Sequence, residues 1–275
     1  PWQTVNVDYV EVNRRNWDER ARVHASSQEY GLERFQGDPA FLSDVVRYDQ
    51  PRLGDIAGQR VVHLQCHIGT DTLSLARLGA QVTGLDLSGE SLRVARDLAG
   101  GAVEYVQAEV YQAREVLEGQ FDLVYTGIGA LCWLPDVHRW AQVVASLLRP
   151  GGRLFIREGH PVLWAMDYDT PGELRITYPY FTTTDPIVET VPTSYAGTDQ
   201  TIANATTHSW NHGLAEIVTA LLDNSMTLTA LEEHRSVPWN PFPAGMMRQG
   251  DLGEFFLIEH PERLPLTYTL QALKR

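Results

Sequence analysis

The sequence predicts an α/β fold: one doubly wound, mostly parallel sheet with an antiparallel last strand. Three observations predict it. From residue 60 to 158, short apolar runs alternate with stretches of helical periodicity, as consecutive βαβ units do. Glycines and capping residues punctuate the boundaries, at Gly69, Gly79, Ser88, Gly100, Gly101, Gly151 and Gly152. Near the end, residues 226–232 and 266–273 read as two strands, and the Thr/Leu alternation of the second suits antiparallel pairing.

The chain has 275 residues, room for one large α/β domain or two small ones. No run of about eighteen apolar residues predicts a membrane span, and the polar, charged N-terminal segment shows no signal peptide. Cys66 and Cys132 are the only cysteines, too few for a disulfide framework, so a reducing cytoplasm is the expected location. The formal net charge of −13 comes without a cluster of Lys and Arg. That speaks against a nucleic-acid partner, because phosphate contacts need cations.

Taken in order, residues 13–35 read as a polar helix carrying Trp17, Ala21, His24, Tyr30 and Leu32. It precedes the first strand, so residues 1–58 are expected to form a helical cap outside the sheet core. Trp17 then either packs on the sheet or reaches a bound cofactor. Val61, Val62 and Leu64 make a first strand buried on both faces. Gly69 breaks the run, Thr70 or Asp71 caps the next helix, and Gly79 ends it. Residues 81–85 form strand two, with Asp86 at its carboxyl end. Ser88 caps a helix through Leu92, Val94, Ala95 and Leu98; residues 103–107 form strand three, followed by Glu109 and Val110. Strand four, residues 121–126, ends at Thr126 and Gly127. Pro135 and Asp136 open a helix with Trp140, Val143, Val144 and Leu147 on one face, and residues 153–158 form strand five. Residues 162–209 are rich in Thr, Tyr, Pro and Asp and too long for a plain loop. They read as an insertion or lid, with β-like runs at 174–180 and 187–191. A helix over 213–224 leads to strand six, and 235–265 reads as a Pro-rich connection to the last strand.

In such sheets ligands bind beyond the carboxyl ends of the strands, where Asp86 stands. An acid there can accept hydrogen bonds from both hydroxyls of a ribose. The neighbouring loop, Gln65-Cys66-His67-Ile68-Gly69, lacks the three glycines that let a backbone approach a pyrophosphate. A ribose-binding acid without a phosphate cradle points to adenosine bearing something other than a diphosphate.

Four stretches occur in order over roughly residues 58–160: VVHLQCHIGT, LDLS, AEV, and FDLVYTGIGALCWLPD followed by LLRPGGRLFI. Together they resemble the class I S-adenosylmethionine-dependent methyltransferase family. The resemblance implies a Rossmann-like, seven-stranded sheet, with residues 59–275 as the methyltransferase domain. It also implies S-adenosyl-L-methionine as cofactor and methyl transfer to a small organic acceptor. Asp86 would hold the ribose, Leu87 would pack on adenine, and Glu109 and Val110 would flank the adenine edge. Gln65, Cys66, His67 and Gly69 would line the methionine and ribose, and Thr126 and Gly127 would meet the methionine near the sulfonium. The family usually has an acid at the position of His63 and glycines at those of Gln65 and His67. The anchor of the methionine amino group is therefore open.

Methyl transfer needs a nucleophile held in line with the methyl carbon, and a base where the nucleophile carries a proton. His160, two residues after Glu158, and His212, in SWNHG, are the candidate bases. Each reads more readily as a structural hydrogen-bonding residue than as a base. His208 and His212 share i, i+4 spacing without a third ligand, so no metal site is expected. Trp133, Trp164, Tyr178, Tyr180 and Phe181 read either as the wall of an acceptor pocket or as the core of the insertion. Two other functions stay open: a nicotinamide-dependent oxidoreductase, and a non-catalytic protein that binds an adenosine ligand.

Overall fold

The computed structural model describes residues 8–196, 200–242 and 245–275. Residues 1–7 of the expected cap, 197–199 of the expected insertion and 243–244 of the expected connection lie outside the described residues.

Three helices precede the sheet: α1 (Tyr9–Ser26), α2 (Leu32–Gly37) and α3 (Asp44–Leu53). The Asp8 carboxylate caps α1 by accepting from the backbone N–H of Val10 and Glu11. The single helix expected over 13–35 is therefore two, because Ser27 is extended and Gly31 is left-handed. Helix α3 was not foreseen; Pro51 sits inside it. Then come β1 (Arg60–Leu64), α4 (Thr70–Arg77), β2 (Gln81–Asp86), α5 (Gly89–Ala99), β3 (Glu104–Gln107), α6 (Ala113–Val116), β4 (Phe121–Thr126), α7 (Val137–Leu147) and β5 (Leu148–Gly159). The remainder holds α8 (Pro161–Trp164), β6 (Ile187–Thr190), β7 (Thr206–Ser209), α9 (Leu214–Asp223), β8 (Met226–His234), β9 (Ser236–Val237), β10 (Met247–Gln249), β11 (Phe255–Leu257) and β12 (Thr267–Lys274).

The main sheet is the expected one: seven strands in the order β3-β2-β1-β4-β5-β12-β8. Strand β12 runs antiparallel to both β5 and β8, and the other neighbours are parallel. Side chains alternate across each strand, so its two faces build two cores. Val62, Leu64, Leu85, Val124 and Ile156 pack with Trp140 and Leu147 of α7 and Leu221 of α9. On the other face Val61, Leu123, Tyr125 and Phe155 pack against Val46 and Leu53 of α3 and Leu75 of α4. His63 shares the second face with Val61. The chain reverses its winding between β1 and β4, so a crevice opens past their carboxyl ends.

Two expectations after β5 need correction. The β-like run at 174–180 forms no strand; it contributes one bridge, Met166 to Ile176. Strand β6 pairs instead with β7. The connection over 235–265 contains a small antiparallel sheet of β10, β11 and β9. Its Phe255 and Leu257 pack in a satellite core with Leu163, Phe242 and Leu266, so short apolar runs among prolines found partners that local pattern does not reveal. No helix among the described residues is long and apolar enough to cross a membrane.

Candidate active site

A cleft lies over the carboxyl ends of β1, β2, β3 and β4, with about 1020 Å³ of empty space counted to its open mouth. Its floor is the β1–α4 loop. Gln65 (φ 55°) and His67 (φ 49°) both adopt left-handed backbone there, at the two positions where a glycine was expected. Such a conformation costs a side-chain-bearing residue about 1–2 kcal/mol. Side-chain anchors offset that cost. Gln65 Nε2 donates to the Ala130 carbonyl at 2.9 Å. His67 Nδ1 lies 3.1 Å from Ser91 Oγ, and its Nε2 lies 2.7 Å from Nδ1 of His24 on α1. His24 Nε2 continues the chain to Ser194 Oγ at 2.7 Å. Burial drives His24 down to about 2 and His67 to about 3, so both imidazoles are neutral at pH 7. Gly69 has no such freedom: a Cβ there would meet Ala95 Cβ and the Tyr105 hydroxyl at 2.6 Å.

Asp86 is held from both sides. One carboxylate oxygen accepts from the His67 backbone N–H at 2.8 Å and the other from the Ser88 N–H at 2.8 Å. A carboxylate has about four lone-pair sites, so each oxygen keeps capacity for a hydroxyl donor in the cleft. Burial raises Asp86 to about 6 against the pull of those two amides. Glu109, past β3, accepts from the Tyr111 N–H at 3.0 Å through one oxygen, and burial raises it above the usual carboxylate range. The far wall is shaped by the buried Glu158. Its carboxylate accepts from the backbone N–H of Gly129 (2.6 Å), Ala130 (2.8 Å), Leu131 (3.0 Å) and Gly159 (2.7 Å), which fixes the turn after β4.

Helix α1 forms the roof with Tyr9, Asn13 and Trp17, and Tyr30 and Tyr195 close one end. Trp17 makes edge contacts with His67 and Trp133, ring centres 5.0 and 5.3 Å apart. Asn13 ties α1 to β7 by a reciprocal pair of bonds with the His208 backbone, each 2.9 Å.

The cleft thus gathers Trp17, Gln65, Cys66, His67, Asp86, Leu87, Glu109, Val110 and Gly127. Thr126 and Gly69 lie behind its wall: both are buried, and neither lines the cavity. The two candidate bases are not brought there. His160 caps α8 by accepting from Val162 N–H, and its Nε2 sits 2.9 Å from Glu233. His212 Nε2 donates to the Leu134 carbonyl at 2.7 Å while Nδ1 meets the Thr182 hydroxyl. It borders a separate small cavity beside Trp164 and Trp210. Among the expected pocket aromatics Trp133 alone lines the cleft. Trp164 stacks on Trp239, Tyr178 on Tyr168, and Phe181 is 78% exposed. Sequence reasoning did not assign Tyr9, Asn13, Tyr30, Asp71 or Tyr195 to the site. Tyr9, Asn13 and Trp17 share i, i+4, i+8 spacing, a stripe that was there to be read.

The residues present fit an adenosyl ligand. Gln65 Oε1 and Trp133 Nε1 are buried on the cleft wall without a hydrogen-bond partner. Among the described residues the lining carries Asp71, Asp86 and Glu109 and neither Lys nor Arg. That charge suits hydroxyl donors and cations, not a pyrophosphate.

Comparison with known proteins agrees with this geometry. Residues 62–156 match the family described as a methyltransferase domain. The ubiquinone biosynthesis O-methyltransferase of Cupriavidus pinatubonensis is 43% identical over 110 residues, 38% of this chain and 43% of that protein. The protein of the same name from Pectobacterium carotovorum subsp. carotovorum is 34% identical over 158 residues, 56% of this chain and 62% of that one. The chain therefore spans about half the length of these curated relatives. The crystal structure of an S-adenosylmethionine-dependent methyltransferase from Mesorhizobium loti shares the fold, with a TM-score of 0.59 at 22% identity over 84% of this chain and 98% of that one. Residues 62–156 thus resemble a methyltransferase domain, and the fold is one that S-adenosylmethionine-dependent methyltransferases also adopt.

Proposed function

We propose that this protein transfers a methyl group from S-adenosyl-L-methionine to an oxygen of a small organic acceptor with an apolar or aromatic part. The observation that carries the reading is Asp86, fixed by two backbone amides with its remaining lone pairs facing a cleft free of Lys and Arg among the described residues. The bound cofactor supplies a methyl carbon already activated by positive sulfur. In this reading Asp86 binds the ribose and Glu109 binds the adenine edge, while Leu87 and Val110 pack against the ring. Gln65 and the β4–α7 turn fix the methionine end, with that turn held rigid by Glu158. Trp17, Trp133, Tyr9 and Leu134 exclude water, and their aromatic surface supports an apolar or aromatic acceptor. The attacking oxygen follows the name of the curated relatives. A cleft lined by acids, with neither Lys nor Arg among the described residues, supports a small molecule over nucleic acid as partner.

The test is thermal unfolding with S-adenosylhomocysteine and with NADH. At a hundredfold excess over Kd, a ligand selective for the native state adds about 2.7 kcal/mol, a shift of several degrees. The expected result is a shift with the adenosyl thioether and none with NADH. The opposite pattern would establish the oxidoreductase reading. Transfer of labelled methyl to a panel of small phenols then separates an enzyme from a binding protein.

A further inference from the structure

The loop leaves one functional group of the ligand without an obvious partner. His63 stands where an acid was expected, and it is buried under α4. Its Nδ1 lies 2.9 Å from Thr72 Oγ1, and its ring stands edge-on to Tyr125. Burial lowers it to about 3, so the ring is neutral. In the tautomer that donates from Nδ1 to Thr72, the Nε2 lone pair faces the cleft. The neighbouring wall is Asp71, in the first turn of α4 and also on the cleft. Gly127 brings the two together: a methyl group built there would lie 3.5 Å from His63 Nε2 and 3.7 Å from Asp71 Oδ2. Among the described residues no cation pairs with Asp71 within 4.0 Å. Burial raises it against the weaker pull of Ser43 and Arg157, and its charge in turn pushes up Tyr30 and Tyr125. It is a half-buried carboxylate on the cleft wall with no cation beside it among the described residues.

We propose that Asp71 and the Nε2 lone pair of His63 form the seat for a primary ammonium, and that this seat anchors the amino group of the methionine part of the cofactor. The inference rests on the methyltransferase reading above. It assigns to α4 a task that the end of β1 cannot perform with a neutral imidazole alone. Two acceptors around one ammonium leave a donor over for a backbone carbonyl or water, and the ion pair forms where solvent is largely displaced.

The experiment is calorimetric titration of wild type, Asp71→Asn and Asp86→Ala with S-adenosylhomocysteine and with its analogue lacking the amino group. Wild type is expected to favour the amino form by about tenfold to a hundredfold, the range for a charge-assisted hydrogen bond. Asp71→Asn should lose most of that preference while binding the deamino analogue within about threefold of wild type, which also reports that the variant is folded. Asp86→Ala should weaken both ligands alike. If wild type binds both equally, or if Asp71→Asn keeps the preference, the seat is elsewhere although the methyltransferase reading stands. If wild type binds neither, that reading fails and this one fails with it.

Discussion

The sharpest prediction concerns Asp86, because its geometry sets both a magnitude and a pH profile. In the proposed assignment its two oxygens, each already aligned by a backbone amide at 2.8 Å, accept the two ribose hydroxyls. Hydrogen bonds to a charged group contribute about 1.5–3 kcal/mol each. Losing both in Asp86→Ala should weaken S-adenosylhomocysteine by at least about a hundredfold, measured by titration calorimetry at pH 7.5 on protein with an unchanged far-UV spectrum. The pH profile tests the same residue in the wild type. Burial places the free carboxyl at about 6, and the ribose donors favour its ionised form. Affinity should therefore be level above pH 7 and fall as the group protonates, about tenfold weaker at pH 5 than at pH 7. Asp86→Ala should lose this slope. A Kd for the variant within threefold of wild type, or a wild-type Kd unchanged from pH 7.5 to 5, would refute the assignment.

Three further outcomes follow from buried charge elsewhere. His24 and His67 have folded values of about 2 and 3, below the unfolded value of about 6.5. Their neutral bond therefore stabilises fully above pH 6.5, and each imidazole costs about 2 kcal/mol by pH 5. His24→Gln should remove one share of that decline in urea melts run at both pH values. Asp49, donated to by the Tyr125 hydroxyl at 2.6 Å, is raised to about 7. A raised acid opposes folding once ionised, so Asp49→Asn should stabilise by about 1–3 kcal/mol at pH 8 and by nothing measurable at pH 4; a variant less stable than wild type at pH 8 would count against the shift. Glu158→Ala strands buried N–H groups of Gly129, Ala130, Leu131 and Gly159, and should cost about 3 kcal/mol or more in a chemical melt, with Glu158→Gln losing less.

The sheet was legible because its signals are local. Strands β1 to β5 are apolar runs closed by glycines, and a crevice past β1 and β2 follows from parallel topology whatever the side chains are. That Asp86 and Glu109 line the crevice was readable for the same reason: Asp86 ends β2 and Glu109 lies two residues past β3. His160 follows a strand too, yet it points to Glu233 on β8. Strand β5 is flanked by the antiparallel β12, whose partner β8 supplies Glu233, and that pairing draws His160 away from the cleft. His212 lies away from the cleft for a different reason. Its partners, Leu134 and Thr182, come from β4–α7 and from the insertion, and no spacing in the sequence joins them. Asp71 reads as an ordinary first-turn acid of a helix. Only the placement of Gly127 and His63 beside it gives it another meaning.

The substitution of the loop glycines ties these observations together. A glycine-rich loop accepts left-handed backbone freely and needs no outside support. Gln65 and His67 adopt the same backbone at a cost, so their side chains must be held by elements far away in the chain. Gln65 is held by the β4–α7 turn, and His67 by Ser91 and by His24 on α1, which itself reaches Ser194. The loop that shapes the cleft is thereby coupled to its roof and to the segment after β5. Replacing His67 with Gly should relieve the local strain while releasing α1. The variant should keep its far-UV spectrum but exchange the amide hydrogens of α1 faster than wild type, with those of β1 and β4 unchanged. Equal protection of α1 in both proteins would mean that the roof is held by its other ties, those of Asn13, Asn16, Asp18 and Glu19 among them, and that the histidine chain is incidental to the cleft.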